Sequence, residues 1–426
     1  MQEKLFSLSR FWSEAKYNFI NYDKINFNFD SLYYTYIDKI SKTRNDYEYH
    51  LLIQRFAASL NDSQTKIQIS DHNFGKPIKS YLVEFKEYNH KVYITAFVPR
   101  KKFKKKKYIG SEVISINGLE TREFLSTKIF PYLSASTKNH LYKQALEEMS
   151  FNRYTDSLDL KLKIRGRTSK VKIFPVYTKS KITDYKPIGK FSKNKKKAIS
   201  YNFTPDSILI LNINKFHKNP KFKRQLWSLY DTLINQSKGV ILDLRHNKGG
   251  DENIARSILG SFVQTKHIHS YGIETRIHNA KKKTNGNFIK GNKEFFKLTA
   301  TETIDPKTIT LYHRLKVKVP SCILIGKNTC ASTENALMYI YEIANRPQII
   351  GEETCGILGN PLILSNFAGG NYARININRH FLPFSRKMII RSGIVPDLHI
   401  KETIDDYLND YDPVLEKGIN LLKEIK

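Results

Sequence analysis

Residues 239–262 read GVILDLRHNKGGDENIARSILGSF, and this stretch decides the fold class. Val240 to Leu244 is apolar apart from Asp243, too continuous for a strand with one wet face, so it predicts a strand covered on both sides. The pair Gly249-Gly250 then breaks the run, and a helix is expected from Glu252 to Phe262. Glycine amides left free at a helix amino terminus can hold an anion, either a bound phosphate or the oxyanion of an acyl-transfer intermediate. Two glycines that merely make a tight turn would read the same way. There is no GxGxxG and no GxxxxGK[ST], so support for a nucleotide site is weak.

The same pattern of apolar run and helical stretch recurs on both sides. ILILNI (208–213), SCILIG (321–326) and PQIIG (347–351) are further strands, with a helix expected from Thr333 to Ala344, so the last 220 or so residues predict an α/β layer structure. Thr265 to Lys318 is polar and basic and reads as an excursion from that core. Asp406 to Lys426 closes with an amphipathic helix through Leu408, Leu415, Ile419 and Leu422. Upstream, YLVEF (81–85), KVYITAFV (91–98), SEVISING (111–118), LDLKLKI (158–164) and SKVKIFPV (169–176) predict a small β-rich domain. Between it and the core, Thr178 to Asn202 carries Lys193 and Lys195 to Lys197 and reads as a linker. The first eighty residues are helical. Leu5, Leu8, Trp12, Ala15 and Phe19 share one face, Leu51, Leu52, Phe56 and Leu60 another, and Asp30-Ser31 is a capping signal ahead of Leu32, Tyr36, Ile37 and Ile40. These helices stop at Asn61-Asp62-Ser63.

With 426 residues, 40% of them apolar, the chain can bury several cores, and a wholly disordered protein is excluded. Its formal charge of +31 attracts polyanions. Lys101, Lys102 and Lys104 to Lys107, interleaved with Phe103 and Tyr108, form one candidate nucleic-acid contact, and Lys281 to Lys283 a second, but no nucleic-acid-binding motif accompanies them. Three cysteines, Cys322, Cys330 and Cys355, fit no disulfide framework and no CxxC metal spacing. No metal and no organic cofactor is implied. No run of 18 apolar residues predicts a membrane span. The segment MQEKLFSLSRFW lacks the features of a leader, and a leader preceding this numbering stays open.

A second segment, KNTCASTENALMYIYEIANRPQIIGEETCGILGNP (327–361), delivers Cys330, Ala331, Ser332 and Thr333 from a strand to a helix start, where a nucleophile would sit near backbone amides. Ser332 and Thr333 are equally readable as a helix cap with Glu334 in the first turn. Taken in order, DLRHNKGG, CASTE, GEETCG with the following GNP, and GIVPD resemble the tail-specific, or C-terminal processing, peptidase family and its tricorn-like relatives. SRFWSEAKYNFINYDKINFNFDSLYY and SLNDSQTKI are similar to that family's helical amino-terminal region, and IGSEVISINGLETREF to its PDZ-like domain. The resemblance implies an α+β multidomain protein: helical region 1–80, PDZ-like β domain 81–178, basic linker 179–204, an α/β (ClpP/crotonase-like) peptidase core 205–402 and a carboxyl-terminal helix 403–426. It also implies a serine hydrolase acting on polypeptides, in a family whose members are often periplasmic or extracellular. No GLGF-like loop precedes the strands of the PDZ-like domain, so capture of a chain end does not follow.

The family's catalytic positions read differently here. The nucleophile position, three before the elbow glutamate, is Ala331; the lysine-base position is Ile357; the histidine-base position in SLNDSQ is Gln64; and the acidic partner falls at Met388. None of these side chains can attack a carbonyl or take its proton near neutral pH. The expected protein is a polypeptide-binding pseudopeptidase whose Gly249 and Gly250 amides are the relic of an oxyanion pocket. Two alternatives remain: an active peptidase, with a native serine at 331 or with Ser332 as a shifted nucleophile and His246 as its base, and a basic polyanion-binding protein. A one-residue shift on a helix turns a side chain by about 100°, which aims Ser332 away from an unmoved pocket. Cys330 is a thiol at the same elbow that nothing nearby in sequence activates.

Overall fold

The computed structural model describes residues 1–97, 108–177, 186–187, 197–286, 288–311 and 316–424. The lysine cluster 101–107 lies outside the described residues. The core is a six-stranded sheet in the order Leu398–His399, Gln348–Gly351, Ser321–Ile325, Gly239–Asp243, Ile208–Ile213, Ile199–Phe203, parallel except for the last strand. Its strands are apolar throughout because both faces are covered. Leu209, Leu211, Val240, Leu242, Ile323 and Ile325 face the helices Pro220–Thr232, Glu252–Ser261 and Ser332–Met338. Ile208, Ile210, Ile241, Cys322 and Leu324 alternate to the other face, under the helix Pro413–Glu424. Arg245 ties that helix down by donating to Asp243 and to Asp412 at 2.7 Å each. Burial opposes its charge, but the two carboxylates more than offset this and hold the guanidinium ionised.

Several local expectations change. The edge strand Ile199–Phe203 takes in the end of the stretch read as a linker, because Ile199 is buried against the core while Tyr201 and Phe203 remain partly exposed. The helix expected to run to Ala344 ends at Met338 and continues as turns, and the carboxyl-terminal helix is split, with Ile404–Leu408 separate from Pro413–Glu424. The excursion 265–318 is ordered in part: Gly272–Arg276 pairs with Thr301–Ile304 and with Asn378–Phe381.

The middle domain is an antiparallel sheet, Val83–Tyr88, Lys91–Phe97, Glu112–Ile116, Leu158–Ile164 and Arg167–Ile173 in that spatial order. The alternating pattern of Leu158, Leu160 and Leu162 against Asp159, Lys161 and Lys163 puts one face on a core and one in water. Helix Lys138–Glu148, which strand patterning did not reveal, packs on the covered face through Ala145 and Leu146.

The amino-terminal helices Gln2–Asn18, Phe29–Ser41 and Asp46–Ala58 converge on Phe56, which stacks on Phe29 at 5.2 Å and meets Tyr36 and Phe11. The cap of the second helix is Asn28, accepting from Ser31 N–H at 2.9 Å, not Asp30-Ser31. These helices share their core with the hairpin Pro361–Phe367 and Asn371–Asn376, to which strand Lys66–Gln68 adds a third member. That strand brings the start of the chain beside the end of the core, and so positions the SLNDSQ turn against Gly359, to whose carbonyl Gln64 donates.

Candidate active-site relic

Strand Ser321–Ile325 and strand Gly239–Asp243 are neighbours, so the loops that follow them leave the sheet side by side. Asn247, fully buried, fastens the two loops together. Its Nδ2 donates to Ile213 O, its Oδ1 accepts from Gly249 N–H at 2.9 Å and from Thr333 Oγ1 at 2.8 Å, and its carbonyl accepts from Cys330 N–H. Thr329 Oγ1 adds a bond to Leu244 O at 2.8 Å. Gly249 has φ +94°, and a methyl group built on it would lie 3.2 Å from Ala331 Cβ and 3.1 Å from Ser332 N. The paired glycines and the elbow therefore meet. Gly250, at φ +136°, has no room for a side chain at all: a Cβ would sit 2.1 Å from Phe216 O.

Ala331 holds φ +56°, ψ −124°, a region non-glycine residues enter at a cost of roughly 1–3 kcal/mol when the surroundings impose it. Glu334 is what imposes it. Fully buried, its carboxylate accepts from Ala331 N–H at 2.9 Å, Ile357 N–H at 2.9 Å, Gly356 N–H at 2.7 Å and Thr354 Oγ1 at 2.5 Å. Burial still wins over these donors and raises its pKa to about 7. One carboxylate thus joins the elbow to the GEET turn. The same two segments are bridged covalently: Cys330 and Cys355 form a disulfide, contrary to the expectation of unpaired cysteines, while Cys322 is free and buried. Spacing along the chain gave no sign of the pairing, because the turn returns to the elbow only through the parallel order of the strands.

Gln64 is buried at the far end of that turn. It donates from Nε2 to Gly359 O at 3.1 Å and accepts from Arg374 at 2.5 Å. Asp62 organises the preceding loop, accepting from Gln64 N–H, Thr65 Oγ1 and Asn376 Nδ2, and burial raises its pKa. Ile357 contributes its amide to Glu334, and Met388 lies in a two-residue strand against Phe381. Ser332 donates to Gly250 O at 2.8 Å. His246 Nδ1 is 3.4 Å from Asn328 Nδ2. Gly249 N–H is engaged by Asn247, whereas Gly250 N–H has no partner among the described residues.

Helix Lys138–Glu148 contributes groups that the motifs did not flag. Thr137 Oγ1 donates to Cys355 O at 3.2 Å and docks the helix start on the turn. Lys143 lies within electrostatic range of Lys248 and Glu334, and burial pulls its pKa down. His140 Nδ1 is 2.9 Å from Ser63 Oγ, and burial lowers its pKa to about 3, so the ring is neutral. This hydroxyl–imidazole pair has the spacing of a nucleophile and base, but Ser63 is 1% exposed and its oxygen already accepts Ser136 N–H. It can hold the loop; it cannot meet a substrate.

Geometry and sequence agree on the class. Residues 207–400 match peptidase family S41, and the chain carries the tail-specific peptidase fold of that family. Mature CPAF complexed with lactacystin superposes over 100% of this chain and 98% of its own, with TM-score 0.72 and 12% identity. A putative peptidase from Parabacteroides merdae gives TM-score 0.55 and 15% identity over 98% and 95% of the two chains. The photosystem II D1 C-terminal processing protease gives 0.50 and 13% over 93% of each. At these identities the likeness is one of fold. No curated protein matches the sequence. Among the described residues no helix is long and apolar enough to cross a membrane, and no three His, Cys, Asp or Glu side chains gather as a metal site.

Proposed function

We propose that this protein binds polypeptide in the cleft between the middle domain and the core without hydrolysing it. The observation that carries this reading is the elbow itself: its strained backbone, the glycine packed against it and the buried Glu334 are all kept, yet the side chain they present is a methyl group. A nucleophile's scaffold without the nucleophile can still hold an extended chain. The positions matched to a base add support, since Gln64 is bound to Gly359 and Arg374, and Ile357 is apolar. Ser332 gives its hydroxyl proton to a carbonyl, an arrangement that does not activate it. The middle domain, read as PDZ-like, frames the cleft and is not assigned capture of a chain end. The test is incubation with labelled, unfolded casein, followed by fluorescence anisotropy and gel analysis. Binding with the casein left intact is expected; fragments that disappear in the Ser332→Ala form would establish the active alternative. Retention on nucleic acid at about physiological salt would favour the polyanion reading instead.

A further inference from the structure

Strand Lys66–Gln68 pairs antiparallel with Asn371–Asn376, and the register sets Lys66 directly opposite Arg374. Directly opposed residues share one face of the sheet, and like charges there repel. The intervening Ile67 and Ala373 point into the amino-terminal core, so both cations occupy the other face. No described carboxylate forms an ion pair with either cation. Arg374 reaches the neutral Gln64 with one nitrogen, while its Nε is buried without a partner. Lys66 borders a cavity of about 240 Å³ that Gln144, Tyr132, Glu147 and Arg153 also line. Its pKa is lowered, first by burial and then by Arg374. Lys143 on the facing helix is a third cation, and both lysines reinforce the effect of burial on His140.

Asp62 acts on Lys66 and Glu147 on Lys143 at a distance, but no acidic group among the described residues forms an ion pair with Lys66 or Arg374. Asp62 is taken up by Gln64, Thr65 and Asn376; Glu148 is paired with Arg153; Glu147 is exposed, and Glu334 is occupied by the elbow and the turn. Two directly opposed cations without an ion-pair partner, one of them on the wall of the recess, are unfavourable for folding and complementary to an anion.

We propose that Lys66 and Arg374, with Lys143 adding positive charge from the facing helix, form a carboxylate-binding subsite of the cleft, which takes an acidic group of a bound polypeptide. The proposal rests on the polypeptide-binding reading above. The carboxylate is that of an Asp or Glu side chain or of a chain terminus. Three labelled, unstructured peptides separate these sources: one with acidic side chains and an amidated end, one without acidic residues and with a free end, and one lacking both. At physiological salt a carboxylate-bearing peptide should bind native protein about tenfold more tightly than the third, as charge-assisted hydrogen bonds require. That advantage should disappear in Lys66→Met and in Arg374→Gln, with the affinity of the third peptide unchanged. Equal binding of all three peptides by the native protein overturns the subsite and leaves the polypeptide-binding reading intact. If no peptide binds, that reading fails by itself, and the subsite is judged by stability. Lys66→Met should then melt higher than the native protein, and succinate should raise the melting temperature of the native form alone. A Lys66→Met form that melts lower, or succinate acting equally on both, overturns the subsite.

Discussion

Replacing Glu334 by glutamine should flatten the dependence of stability on pH. The group is fully buried and its folded pKa lies near 7, against about 4.5 for an ordinary glutamate. A raised carboxyl pKa means that the folded state binds the proton more tightly than the unfolded chain does. The associated stability is therefore fully present below about pH 4.5 and is lost as the pH rises through 7. Between pH 5 and pH 8 the loss integrates to roughly 2.5 kcal/mol at 1.36 kcal/mol per unit. Glutamine cannot titrate, so this increment should vanish from the difference between the two pH values. The variant should also be less stable at either pH, by roughly 2–4 kcal/mol, because each carboxylate oxygen accepts two donors and an amide NH₂ placed there faces two of them. Urea unfolding at both pH values, native and variant side by side, measures the double difference. A value below about 0.5 kcal/mol would refute the claim that burial dominates the protonation of Glu334.

Three further outcomes are expected. Ala331→Gly should stabilise the ligand-free protein by about 1 kcal/mol, because relief of the positive φ exceeds glycine's entropy cost; a loss of stability in denaturant melts would contradict the strain. Gly250→Ala should destabilise by more than about 3 kcal/mol, since its methyl would strike Phe216 O, and near-native unfolding would show that the loop yields. Thiol titration of the unreduced, denatured protein should find one reactive cysteine, Cys322, and reduction of the Cys330–Cys355 bridge should cost roughly 3 kcal/mol; three titratable thiols would disprove the pairing.

Strand and helix order in the core were legible because doubly covered strands write continuous apolar runs, as in 208–213 and 239–243, and glycine pairs mark where they end. The meeting of Gly249 with the elbow followed from the resemblance of the ordered motifs, not from either segment alone. Other parts were hidden for definite reasons. Helix Lys138–Glu148 has a weak apolar stripe, Ala145 and Leu146 among polar residues, so its pattern did not stand out from the surrounding strands. Asn247 looks like any loop asparagine until its amide is seen holding three segments. The Cys330–Cys355 bridge and the Lys66–Arg374 opposition are contacts between residues 25 and 308 positions apart, set by sheet order and register, which local periodicity does not encode.

Glu334 separates what fixes the shape of the elbow from what the elbow displays. The elbow is anchored through backbone amides and a carboxylate, and the side chain at 331 contributes nothing to that anchorage. Such a position is uncoupled from the framework: a change of the atoms it displays leaves the amide bonds that hold the elbow to the turn in place.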